Sequence, residues 1–289
     1  MFEFCTRAIR KSGALHILVI AALFILLPVV KVAAGVLVAP TVVFLSETNR
    51  TGRITLRNPS DVPQEVNVYF SFGLPISDSL GNVYVMLQDS VTNDPKSALG
   101  WVKAFPRTVI LPPGENQTVR LVIKPPDDLP DGEYWARIVV RSQDARTAVP
   151  EPDEAAGIST QLNMVIQTAI MLKYRTGELI SNLELTSAGA KLHDNIVQVL
   201  LDLVSRGNVS YMGILHCRVL DKKDIEIGRG KINLAVYRNL RRRMDIPITA
   251  ENHNPPYRVE VRITSEGRTD VPPPDMIAGN EIIYTLSLE

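Results

Sequence analysis

The longest regular pattern of apolar and polar positions in the chain runs from Ile158 to Arg175, with the letters ISTQLNMVIQTAIMLKYR. Every second residue from Leu162 to Tyr174 is apolar, apart from Thr168. Successive side chains of a strand point to opposite faces, so this spacing predicts one strand of about fourteen residues with an apolar face. Typical strands have about five or six residues. We therefore expect part of this strand to extend past the sheet of its own domain and to pair with something else.

Shorter alternating segments precede the long strand and are separated by turn residues rich in Pro, Gly, Asn and Asp. The pattern predicts strands at Gly35–Leu45, Thr51–Asn58, Glu65–Phe72, Asn82–Leu87, Trp101–Leu111, Gln117–Ile123 and Glu133–Arg141. No convincing amphipathic helix interrupts them. Many short strands joined by turns are typical of a β-sandwich.

A second and weaker β pattern fills the rest of the chain. Its predicted strands are Leu179–Leu185, Ile196–Ser205, Ser210–Leu220, Lys231–Tyr237, Arg243–Thr249, Tyr257–Thr264 and Glu281–Leu288. Strands of this number and length suit another immunoglobulin-like sandwich. The predicted fold class is all-β, with two immunoglobulin-like β-sandwich domains at 35–175 and 178–289 and a linker at Thr176-Gly177.

Residues 1–34 have the pattern of an export signal. Arg7, Arg10 and Lys11 precede a mostly apolar run from Gly13 to Val30, and small residues at 32–34 suit a signal peptidase. We expect the mature chain to begin at Gly35. The alternative is an uncleaved signal that anchors the protein to the inner membrane, because the apolar run approaches a membrane-spanning length.

Charge and residue types argue against several classes of function. The full chain has 31 basic and 31 acidic side chains, which gives no overall field for nucleic acid. If Cys5 leaves with the signal, Cys217 has no cysteine to pair with and is interpreted as a buried structural residue. The sequence contains no zinc-protease H-E-x-x-H, no G-x-S-x-G elbow and no phosphate-binding loop. We predict neither an enzyme, a metal site, a cofactor nor a small-molecule substrate.

Three separated blocks carry a family resemblance: Phe105–Leu121, Leu129–Tyr134 and Ile166–Arg175. They resemble the N-terminal domain of PapD-type periplasmic pilus chaperones. The resemblance implies two immunoglobulin-like domains in the periplasm, the first of which lends its last strand to an incomplete pilus subunit. It implies pilus-like subunits, and an outer-membrane usher, as partners. The residues that it implies are Leu162, Met164 and Ile166 as donor side chains, and an ion pair of Glu133 with Arg175 near the cleft between the domains.

One part of the family pattern is missing. The family binds the subunit's C-terminal carboxylate with an Arg and a Lys, and the matching positions here are Val42 and Met171. Lys173 is the remaining candidate anchor on that strand. The further residues Ile170, Leu172 and Tyr174 are predicted to pack in the protein's own core. The alternative function is a structural or adhesive cell-envelope protein that has a PapD-like fold and does not donate a strand.

Overall fold

The structure is a computed structural model that describes residues 35–88, 93–145, 164–249 and 255–288. The predicted signal at 1–34 and the predicted donor residue Leu162 lie outside these residues. In the part of the chain that is described, no helix is long and apolar enough to cross a membrane. The regular structure there is almost entirely β-strand.

The strands fall into two groups along the chain. The first group is β1 (Leu37–Ala39), β2 (Val42–Ser46), β3 (Thr51–Arg57), β4 (Gln64–Ser71), β5 (Pro75–Ser77), β6 (Val83–Val85), β7 (Val102–Phe105), β8 (Thr108–Leu111), β9 (Asn116–Ile123), β10 (Gly132–Asp144) and β11 (Val165–Thr176). The second group is β12 (Leu183–His193), β13 (Ile196–Ser205), β14 (Tyr211–Leu220), β15 (Glu226–Val236), β16 (Asn239–Pro247), β17 (Tyr257–Thr264) and β18 (Ile282–Leu288), with a 3₁₀ turn at Pro273–Asp275.

The first group forms a sandwich of two sheets. One sheet has the strand order β1-β3-β9-β7 and the other has the order β2-β11-β10-β4-β8. Alternate side chains of both sheets meet in one buried cluster, in which Ile54, Leu121, Ile138 and Leu172 have no exposed surface. Burial of such side chains from both inner faces is what stabilises a sandwich of this kind.

The second group forms another sandwich, with sheets β12-β13-β16 and β15-β14-β17-β18. It has a separate buried cluster, which includes Val197, Leu201, Leu215 and Val261. The predicted all-β fold with two immunoglobulin-like sandwiches is confirmed. The domain bounds of 35–175 and 178–289 stay a prediction.

Two segments predicted as single strands are each divided between the two sheets of the first sandwich. The segment Gly35–Leu45 forms β1 and β2, which are separated at Pro40, and Trp101–Leu111 forms β7 and β8, which are separated at Pro106. Proline has no N–H to give to a ladder and restricts the residue before it. The apolar pattern continues through both prolines, which is why it predicted one strand in each place.

The hairpin β5–β6 was only partly predicted, and it joins the two sandwiches. It belongs to the first group of strands but lies along β16, the edge strand of the second sandwich. The backbone N–H of Arg241 donates to Ser77 Oγ over 2.8 Å, and that of Arg243 donates to the Gly81 carbonyl over 3.1 Å. Val83 packs against the second buried cluster. The hairpin therefore covers backbone donors that an edge strand would otherwise leave open.

Candidate functional site

The long strand β11 has two halves with different surroundings. Its C-terminal half lies between β10 and β2, and Ile170, Leu172 and Tyr174 are buried in the first core at 5%, 0% and 2% exposure. The prediction that these three side chains pack in the protein's own core is confirmed. They fix the C-terminal half of the strand within the sandwich.

Among the described residues, the N-terminal half of β11 has a strand partner on one side only. β10 pairs with β11 over its whole length, whereas the ladder with β2 begins at Met171. The Met171 N–H donates to the Thr41 carbonyl, on the side away from β10. Since successive residues of a strand direct their backbone groups to alternate sides, those of Val165, Gln167 and Ala169 point the same way. In the described chain no backbone group pairs with them, so this stretch is an open sheet edge.

Apolar side chains accompany the open edge. Met164 is 51% exposed and Val165 is 44% exposed, although both are large and hydrophobic. Ile166 is half-buried because the backbone at Gly35 crosses it; a Cβ added to Gly35 would lie 2.8 Å from Ile166 Cδ1. Of the three predicted donor side chains, Met164 is therefore half exposed to solvent and Ile166 lies partly beneath the backbone at Gly35. Leu162 lies outside the described residues.

A buried charge cluster holds the other end of β11. Glu133, on β10, has no exposed surface. Its Oε2 accepts from Arg175 Nε over 2.8 Å, and its Oε1 accepts from Lys173 Nζ over 2.9 Å and from Ser210 Oγ over 2.6 Å. Trp135 Nε1 donates to the same oxygen over 2.6 Å. The ion pair implied by the resemblance is thus present, and Ser210 connects it to the second sandwich.

The pKa values in this cluster follow from burial and mutual attraction. Burial alone would raise the pKa of Glu133, but the charges of Lys173 and Arg175 and the hydrogen bonds from Ser210 and Lys173 outweigh it and lower that pKa to about 2. Burial lowers the pKa of Lys173 to about 8, and the attraction of Glu133 opposes only part of that effect. At neutral pH both groups are charged, and the cluster is a structural joint between the sandwiches.

The structure places Lys173 where its ammonium already has partners. The side chain is fully buried, and its Nζ donates to Glu133 and Ser210 and lies 3.4 Å from Met212 Sδ. The Nζ also lies 4.6 Å from the centre of the Tyr237 ring. A client carboxylate would reach this ammonium only after these contacts had opened. A role for Lys173 as a client anchor stays a prediction.

The positions Val42 and Met171 are neighbours in the parallel ladder of β2 with β11. Both belong to an apolar cluster between the sandwiches, whose buried members are Phe72, Trp135, Met171 and Tyr237. Leu74 and Leu99, from the long connection between β4 and β7, also pack there. This chain therefore has hydrophobic side chains at the place where the resemblance would put a pair of cations.

Sequence reasoning missed Arg137, which lies opposite Met171 in the ladder of β10 with β11. It is 9% exposed, its Nε donates to the Gly73 carbonyl over 2.9 Å, and burial lowers its pKa. Among the described residues it has no carboxylate partner. The sequence does point to this residue, since Arg137 is a charged residue within the apolar run Tyr134–Val140.

The described residues contain no group of three or more His, Cys, Asp or Glu side chains that could hold a metal ion. Cys217 is buried, and burial raises its pKa to about 12, so its thiol stays protonated at neutral pH. It has the surroundings of a structural residue in the second core.

Comparison with known proteins gives structural likenesses only. No family model and no curated protein sequence matches the chain. The chain is similar to the YadV chaperone, with 15% identity and a TM-score of 0.43 over 88% of this chain and 100% of that one. It is also similar to the chaperone DraB of E. coli, with 14% identity and a TM-score of 0.39 over 88% and 97%. A chain from the complex of the Salmonella enterica SafA pilin with the SafB chaperone matches with 15% identity and a TM-score of 0.41 over 89% and 98%.

Proposed function

We propose that this chain is a periplasmic chaperone that lends the N-terminal half of β11 to pilus-like subunits whose immunoglobulin-like sandwich lacks a strand. The observation that carries the proposal is the open edge of β11 from Val165 to Ala169, beside the exposed side chain of Met164. The sequence resemblance supplies the class of client and the periplasmic location. An outer-membrane usher is the expected second partner.

An open edge and an apolar row suit this task because they match what a sandwich without one of its strands leaves exposed. Such a client exposes an apolar groove and unpaired backbone groups on both sides of it. An added strand satisfies the backbone groups, and its alternate side chains fill the groove. Each Leu, Met or Ile side chain that becomes buried stabilises the complex by roughly 1.5–3 kcal/mol before the cost of association. No nucleotide is needed for this exchange.

The rest of the first sandwich prepares the donor segment for binding. Ile170, Leu172 and Tyr174 hold β11 in the core, and the Glu133 cluster holds its C-terminal end. The donor segment is paired with β10 and is therefore already extended. A strand that is ordered before binding loses less conformational entropy when the client arrives. Leu162, Met164 and Ile166 are the proposed contact side chains.

Replacement of Met164 by Asp tests the proposal. The side chain is half exposed, so the variant should keep the melting temperature of the parent. Its capture of a client should be lost, because a carboxylate in the client's groove would be buried without a partner. A control replacement of Ile110, which is 64% exposed on the edge strand β8, by Asp should change neither property. A replacement of the buried Ile170 by Asp should unfold the domain.

The outcomes separate the proposal from its alternative. Normal client capture by a stable Met164→Asp protein would overturn strand donation and favour a structural or adhesive envelope protein. Strong destabilisation by Met164→Asp would show that the side chain belongs to the protein's own core. The observation that favours the alternative is that Val42 and Met171, at the family's carboxylate-binding positions, are apolar.

A further inference from the structure

The second sandwich carries a basic groove on the outer face of its sheet β15-β14-β17-β18, which the proposed function does not use. The groove has a volume of about 620 Å³. Four residues form one row across the sheet, because the ladders pair His216 with Lys231 and with Arg262, and Arg262 with Ile283. Three adjacent strands thus place a basic side chain at the same level of one face.

In the next row of the groove, carboxylates balance most of the positive charge. Arg218 lies between Arg229 and Glu260, and its guanidinium pairs with Glu226 over 2.8 Å and with Glu260 over 3.5 Å. Arg229 also pairs with Glu226. These contacts are ordinary surface ion pairs, which contribute little to stability.

The row of Lys231, His216 and Arg262 lacks that balance. Arg262 Nε pairs with Glu281 over 2.5 Å. In the described parts of the chain, neither Lys231 nor His216 has an ion pair or a side-chain hydrogen bond. Lys231 and Arg262 flank His216 in this row, so a protonated imidazole would face like charges on both neighbouring strands, an arrangement that destabilises a sheet. The row therefore has an excess of positive charge and unused hydrogen-bond donors that face one groove.

The positive charge of the row contributes to a lowered pKa at His216. Its pKa is lowered by burial first, and then by the charges of Lys231 and Arg262. The charged groups that face it are Lys231 and Arg229 on β15, Arg218 on its own strand and Arg262 and Glu260 on β17, with Glu226 and Glu281 at the margins. An anion seated in the row would relieve the repulsion between these groups.

We propose that this groove binds a phosphate-type oxyanion through Lys231, His216 and Arg262. The ammonium, the guanidinium and the imidazole, which a neighbouring anion would help to protonate, offer donors of the kind that such an anion accepts. The exposed Ile283, at the end of the row, adds an apolar surface beside the charged donors. The oxyanion is either free or the headgroup of a phospholipid, and the chemistry of the groove is the same for both.

The test follows the His216 imidazole of the protein by NMR. Its pKa is measured in inorganic phosphate and in sodium chloride of equal ionic strength, so that general screening is the same in both. A bound oxyanion should raise the pKa of His216 by about 0.5 or more relative to chloride. His193 is an internal control, because its side chain is 91% exposed and lies on β12 in the other sheet.

A second arm adds vesicles of phosphatidylglycerol or, as a neutral control, phosphatidylcholine. A response to free phosphate supports the site with a soluble ligand, and a response to phosphatidylglycerol alone supports it with a lipid headgroup. Lys231→Gln should weaken either response several-fold, whereas Lys191→Gln on the exposed strand β12 should not. Equal pKa values of His216 in phosphate, chloride and both vesicles would overturn the proposal.

Discussion

Glu133 Oε1 lies 2.9 Å from Lys173 Nζ, and both side chains are completely buried. The two residues belong to neighbouring strands of the first sandwich, and Ser210 of the second sandwich donates to the same carboxylate. Desolvation of two charges is costly, and only their attraction and the added hydrogen bonds offset it. The cluster therefore couples the position of β11 to the joint between the two sandwiches.

This ion pair predicts that the free energy of unfolding decreases at acidic pH. The pKa of Glu133 is about 2 when folded and 4.5 when unfolded, so its contribution is full above pH 4.5 and is lost as the pH falls towards 2. The difference corresponds to roughly 3 kcal/mol. Urea unfolding between pH 2 and 7 should show this loss in the parent. Glu133→Gln should be less stable at pH 7 and should lose less stability than the parent as the pH falls. A matched control is Glu184→Gln, at a half-exposed ion pair with Arg206. If the parent and Glu133→Gln lost the same amount of stability between pH 7 and pH 2, Glu133 would not be the source of the loss.

Lys173 should act in a different pH range. Its pKa is about 8 when folded and 10.5 when unfolded, so the unfolded state binds more protons between these values. Stability from this group therefore rises as the pH increases through 8 and beyond. Urea unfolding at pH 7 and pH 9.5 should show a smaller rise for Lys173→Met than for the parent. Replacement of the exposed Lys103 by Met is the control and should leave the rise unchanged; a rise of equal size in Lys173→Met would count against the buried charge.

The hairpin β5–β6 should depend on the shape of its turn. Gly81 has a φ of +78°, and a Cβ there would lie 2.7 Å from the Arg243 nitrogen that donates to the Gly81 carbonyl. Gly81→Ala should therefore break the contact with β16 and speed hydrogen exchange of the Arg243 amide at least ten-fold. Gly114→Ala carries a similar backbone cost, since its φ is +74°, but its Cβ would meet nothing within 4 Å. If both variants left exchange at Arg243 unchanged, the hairpin would not protect the β16 edge.

The apolar surroundings of Val42 and Met171 bear on the proposed binding of a client. Neither side chain can bind a carboxylate, and the ammonium of Lys173 is already bonded to Glu133. Amidation of a client's C-terminus should therefore change its affinity for this protein less than two-fold. Titration of matched free and amidated clients by calorimetry measures this. A strong loss on amidation would mean that a cation has replaced the missing pair, with Lys173 examined first by replacement with Met.

The sequence predicted features that depend on local pattern and missed those that depend on distant contacts. Alternation predicted β11 and the burial of Leu172, because one face of a strand is read directly from every second residue. The same pattern did not locate β12, which was placed at Leu179–Leu185 and lies at Leu183–His193. Past Leu185 its inward residues are the small Ala188 and Ala190, which give a weak apolar signal, and pairing with β13 sets the strand.

The candidate site shows the same division. The pair of Glu133 and Arg175 came from the resemblance, but Ser210 is 77 residues from Glu133 in sequence and nothing in the pattern joins them. The open edge of β11 depends on where β2 begins to pair, and Pro40 sets that point by dividing the first segment. Such an edge is a property of register, which a single strand's sequence does not contain.

Hydrogen exchange of the backbone amides of β11, with and without a client, is the sharpest test of strand donation. The N–H groups of Val165, Gln167 and Ala169 point to the open edge, whereas those of Ile166 and Thr168 point to β10. Strand donation predicts that the first three exchange quickly in the free protein and at least a hundred-fold more slowly in the complex, with little change at the other two. Client binding that leaves the exchange of Gln167 and Ala169 unaltered would contradict donation of this strand.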